Sequence, residues 1–133
     1  MRKLSVLVGF LFLIALMAGC GDDNGNSKAA VANLAGTWST QTVGPNSLNF
    51  TLNSNGPFLA GTGSYTNAAG VTTPIQVTGS VNRNTFNLDL QFTQVANPLV
   101  TAVYFGTITD ANHLTGAVHV TGTPDNPITV TRQ

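Results

Sequence analysis

Beyond a distinct N-terminal stretch, the sequence predicts an all-β domain: an eight-stranded antiparallel up-and-down β-barrel. Three observations carry that expectation. From Leu34 onward apolar and polar residues alternate in short runs with no helical period. The runs are separated by segments rich in Asn, Gly, Asp and Pro, which suit tight turns. Nineteen threonines favour a pleated, half-buried surface. The links are short, which favours antiparallel neighbours, and closing eight such strands on themselves removes exposed edges. A two-sheet β-sandwich is the alternative. A lipid-facing transmembrane barrel is disfavoured, because most runs fall short of the ~9–11 residues required and no aromatic girdles are visible.

The chain opens with Met1-Arg2-Lys3, a short positive start. Leu4 to Met17 is almost wholly apolar, and Ala18-Gly19-Cys20 follows. These are the three regions of a secretory signal, and the apolar run is short of the ~20 residues that a spanning helix needs. Met17-Ala18-Gly19-Cys20 resembles the lipobox of bacterial lipoproteins, with Met17 where that family usually has Leu. The resemblance implies a signal peptide over 1–19, cleavage before Cys20, and acylation of the Cys20 thiol and the new amino terminus. Several acyl chains then hold the protein at a membrane. Gly21, not Asp, follows the cysteine; by the same resemblance this points to the outer membrane of the bacterial envelope. Residues 20–33 are rich in Gly, Asn, Asp and Ser and read as a flexible tether. The domain itself is expected over 34–133.

Eight strands are expected within that domain, at about 36–42, 47–53, 58–66, 73–81, 84–93, 100–109, 113–121 and 127–132. The clearest is the fifth, where Phe86, Leu88, Leu90 and Phe92 take one face and Asn87, Asp89 and Gln91 the other. Leu48, Phe50 and Leu52 alternate with Asn49, Thr51 and Asn53 in the second. Ile75, Val77, Gly79 and Val81 share a face in the fourth, as do Leu114, Gly116, Val118 and Val120 in the seventh. Turns are expected at 53–57, 67–70, 82–84, 110–112 and 124–127. Thr-Gly or Gly-Thr pairs recur without a strict period, and glycines inside strands suit the sharp coiling of a small barrel.

Gly36-Thr37-Trp38 opens the first strand and Ile128-Thr129-Val130-Thr131-Arg132 forms the last. This pair resembles the calycin barrels, the lipocalins and avidins, in which a Gly-x-Trp on the first strand meets a basic residue from the last. The resemblance implies barrel closure by Trp38 and Arg132. Leu59-Ala60-Gly61-Thr62-Gly63-Ser64-Tyr65 is similar to the third strand of an avidin. Biotin binding does not carry over: Trp38 is the only tryptophan, Thr40 replaces the expected Asn, and Gly63 replaces the expected Tyr, with Tyr65 displaced by two.

Composition excludes several functions. Charged residues are only 8%, and five Lys and Arg balance five Asp, so no basic nucleic-acid footprint exists. Cys20 is the only cysteine, which excludes an intrachain disulfide and a Cys-rich metal site. His113 and His119 are six apart on one strand, ~20 Å in extended chain, too far to share an ion. No carboxylate pair, nucleophile elbow or phosphate loop is evident, so neither catalysis nor a cofactor is expected. Two functions remain. One is a lipid-anchored barrel holding a small apolar or amphipathic ligand, with Phe50, Phe86, Phe92 and Tyr104 as candidate lining residues from alternation. The other is a filled barrel serving as a structural or protein-interaction lipoprotein. An open apolar interior of ~300 Å³ or more separates the first from the second.

Overall fold

The computed structural model describes residues 31–42, 44–94 and 101–133. The proposed signal peptide, Cys20 and most of the tether therefore lie outside the described residues. The strands are β1 (Gly36–Thr40), β2 (Ser47–Asn55), β3 (Phe58–Thr66), β4 (Thr72–Asn82), β5 (Thr85–Phe92), β6 (Thr101–Asp110), β7 (His113–Val120) and β8 (Asn126–Arg132). They pair antiparallel in chain order and form a closed barrel, β8 returning to β1. The sandwich is thus not the fold. Closure uses three register pairs: Trp38 opposite Arg132, Ser39 opposite Thr131, and Thr40 opposite Val130. β1 stops two residues earlier than the alternation suggests, because the chain bends at Gln41 and Thr42, and the Thr40 hydroxyl donates to the Thr42 carbonyl at 3.2 Å.

Alternation within each strand sorts the side chains. The interior receives Trp38, Leu48, Phe50, Leu52, Leu59, Ile75, Val77, Leu88, Leu90, Leu114 and Val130, all nearly inaccessible to solvent. Each fully buried large side chain contributes about 1.5–3 kcal/mol by leaving water. Asn87, Asp89 and Gln91 alternate outward on β5 and are exposed. Four strands, β2, β3, β4 and β6, reach nine residues or more. Length alone therefore does not exclude a membrane-spanning barrel. Polarity does: the apolar face points inward and the polar face outward, the inverse of a lipid-facing barrel.

Inward glycines stand opposite large inward residues on the neighbouring strand: Gly63 beside Phe50, Gly61 beside Leu52, Gly79 beside Leu88, Gly106 beside Phe86, and Gly116 beside Ile128. A narrow barrel has no room for two bulky rows side by side, so the glycines let the large partners fill the centre.

Alternate loops gather at opposite ends. One end receives the incoming chain, the β2–β3, β4–β5 and β6–β7 turns, and the C terminus. Val31 and Ala32 pack against the core beside Leu34. The other end receives the β1–β2, β3–β4, β5–β6 and β7–β8 connections.

Candidate functional site: a cavity at one end of the barrel

The end that receives the chain is sealed. The Trp38 indole N–H donates to the Leu34 carbonyl at 2.9 Å, which folds the incoming segment over the barrel. The Arg132 guanidinium carbon lies 4.5 Å from the centre of the indole ring. Its Nε donates to the Ala111 carbonyl at 3.0 Å, one terminal nitrogen to the Asn33 carbonyl at 3.0 Å, and the other to the Ala35 carbonyl. One side chain thereby ties the entering chain, the β6–β7 turn and β8 over a single aromatic face. Gly36 fits beneath it: its φ is +135°, and a Cβ there would lie 3.0 Å from the guanidinium.

Above the seal the interior is packed. Phe86 and Tyr104 pack tilted at 4.8 Å between ring centres, and Phe50 and Tyr104 at 6.3 Å. The Tyr104 hydroxyl lies 3.0 Å from both the Leu114 and Ile128 carbonyls and donates to them. Burial pushes the Tyr104 phenol pKa well above its ordinary value, opposed by a backbone hydrogen bond from Val130.

The opposite end holds an open cavity of about 760 Å³. Its walls are strand residues that point inward: Tyr65 from β3, Thr73 from β4, Phe92 from β5, Val118 and Val120 from β7, and Asn126 from β8. Tyr65 and Phe92 meet at 6.2 Å between ring centres. Its rim comes from loops that are internally braced. The Asn67 side-chain oxygen accepts from the Ala69 and Val71 amides, each at 3.0 Å. The Asn46 amide donates to the Asn67 carbonyl at 3.3 Å, linking the β1–β2 and β3–β4 connections. Thr123 closes the β7–β8 turn on the Val120 carbonyl through its amide and its hydroxyl.

Of the four aromatic residues that alternation suggested, Phe92 lines this cavity. Phe50, Phe86 and Tyr104 point inward but sit deeper, in the packed half, and form no part of its lining. Alternation gives the face of a strand, not the depth along the barrel. Tyr65, Val118, Val120 and Asn126 belong to the cavity and escaped the sequence reading of the lining. Their signal was position: each lies near a strand end on the side of the barrel where the cavity opens.

Both histidines pair with turn aspartates on the outside. His113 Nδ1 lies 2.8 Å from the Asp110 carboxylate, and His119 Nδ1 lies 2.6 Å from the Asp125 carboxylate. The Asn112 amide and then His113 hold the Asp110 pKa below its ordinary value. Among the described residues, no group of three or more His, Cys, Asp or Glu is placed to hold a metal ion. Comparison with protein-family models, with curated proteins and with solved structures gives no match.

Proposed function

We propose that the protein is a lipid-anchored bacterial envelope protein whose barrel binds a small apolar or amphipathic molecule at its open end. The observation that carries this reading is the 760 Å³ cavity. It exceeds the ~300 Å³ lower bound of ordinary ligand sites, and its walls are mainly apolar with a few convergent polar groups. The Trp38–Arg132 seal supports a calycin-like reading of the barrel, with one shut end and one open end. The lipobox-like segment ending at Cys20 supports the anchor, and Gly21 supports an outer-membrane destination. The reading is a binding one, with no catalytic step, and the proposed partners are the membrane through Cys20 and the ligand.

The alternative, a filled barrel with a structural or interaction role, draws on the packed half around Phe50, Phe86 and Tyr104. Intact mass spectrometry of the protein isolated from its own host tests both parts. Expected are a chain beginning at Cys20 with added acyl mass, and a small molecule retained in repeated preparations. An unacylated chain overturns the anchor. A chain that never retains a ligand favours the filled barrel.

A further inference from the structure

Phe58 opens β3 on the outward side and is 68% exposed, the most exposed large apolar side chain among the described residues. Its register partners, Asn55 and Ser80, are polar and exposed, so neither covers the ring. A lone exposed ring is ordinary; its place is what distinguishes this one. Phe58 stands at the sealed end, just after the β2–β3 turn. The turns of that end are tied to their neighbours. The Val81 amide donates to the Pro57 carbonyl at 2.8 Å, the Ile108 amide to the Asn84 carbonyl at 2.7 Å, and the Arg132 amide to the Asn112 carbonyl at 2.9 Å. Pro57 also fixes the backbone ahead of the ring. Phe58 is therefore presented from a braced base, and covering it costs little conformational entropy.

The same end receives the chain. Ten residues lie between Cys20 and Val31, which packs on the core. Even fully extended, that stretch spans no more than ~40 Å. An acylated Cys20 thus keeps the sealed end close to lipid, where high local concentration favours even a weak contact. The charges agree. Both described arginines are at this end, Arg83 exposed in the β4–β5 turn and Arg132 over Trp38. Of the described aspartates, Asp110 shares the sealed end and is paired with His113, Asp89 lies midway along β5, and Asp125 is at the mouth.

We propose that the sealed end is a second membrane contact: the Phe58 ring enters the interfacial layer of the bilayer, and Arg83, three residues beyond Ser80, meets lipid phosphates beside it. This rests on the acylation of Cys20, and the experiment separates the two.

The full chain, processed in a bacterial host and carrying its acyl groups, is added to vesicles of phosphatidylethanolamine and phosphatidylglycerol. Ser80→Cys, beside Phe58, and Ala68→Cys, in the β3–β4 connection at the mouth, each offer one free thiol for a fluorescent label, because Cys20 is the only native cysteine and is acylated. Nitroxide-bearing lipids quench a label that lies at the bilayer. Most of the emission at Ser80 is expected to be lost, and most of that at Ala68 kept. Adding Phe58→Ser to the Ser80 variant should restore most of the emission while the protein still floats with the vesicles. Arg83→Gln should weaken the Ser80 quenching at low salt and matter less at high salt. Equal quenching at the two sites, stronger quenching at Ala68, or no effect of Phe58→Ser overturns the inference and leaves the anchor intact; no effect of Arg83→Gln removes that residue from the contact. Should Phe58→Ser not fold, the comparison of the two labels decides alone. Protein that does not float with the vesicles overturns the anchor and this inference with it.

Discussion

Tyr104 illustrates how one residue couples burial to pH. Its ring is fully enclosed and its hydroxyl spans carbonyls on two strands, Leu114 on β7 and Ile128 on β8. Tyr104→Phe keeps the ring and leaves those acceptors without the donor, a loss of about 1–3 kcal/mol by urea unfolding near neutral pH. The ordinary phenol value is 10.0, and the folded state holds Tyr104 above it. The unfolded chain therefore releases this proton near pH 10 while the native protein retains it. The stabilisation is complete below that pH and is lost as pH rises beyond it. Tyr65 shifts in the same direction. Tyr104→Phe is accordingly expected to flatten, without abolishing, the fall of the urea midpoint above pH 10; an unchanged alkaline slope would show that the phenol is not protected. Alternation revealed that Tyr104 faces inward. Whether it lined the cavity or the packed interior beneath it depended on its depth along the barrel, which alternation does not carry.

At the scale of elements, the β6–β7 hairpin depends on two facing glycines. Gly106 and Gly116 are register partners. A Cβ on Gly106 would lie 2.2 Å from the Thr115 carbonyl oxygen and 2.5 Å from the Gly116 Cα, both backbone atoms that cannot turn aside. Gly106→Ala is expected to cost about 3 kcal/mol through strand displacement, whereas Thr107→Ala, exposed on the adjacent position, should stay within about 0.5 kcal/mol. Thermal unfolding of the two variants makes the comparison, and a Gly106→Ala protein as stable as Thr107→Ala would refute the close approach. Strand positions were largely legible, because the period-two pattern and the Asn- and Gly-rich turns agree. The bounds of β3 coincide with the alternation, and β2 runs two residues further, through Asn55, to meet the tight turn at Gly56. The recurring Thr-Gly pairs were visible too, although their meaning required knowing which bulky side chain each glycine faces.

Closure is a property of the whole molecule, and Trp38 with Arg132 tests it. Single alanine substitutions each remove part of the seal; the double substitution should cost less than their sum, by about 0.5–2 kcal/mol for the guanidinium–indole contact. Additive losses in urea unfolding would mean that the first and last strands do not cooperate through this pair. The meeting of Trp38 and Arg132 was legible through the resemblance of Gly36-Thr37-Trp38 and the last strand to the calycin barrels. The carbonyls of Asn33, Ala35 and Ala111 that complete the seal were not, since backbone acceptors leave no mark in a sequence.

The leading segment threads in through the sealed base, at Val31 to Leu34, while the mouth opens at the other pole. Strands of about nine residues put roughly 20–30 Å between the two. Were Cys20 acylated as proposed, the chain from the bilayer would join this vessel at its foot, at the pole opposite the opening.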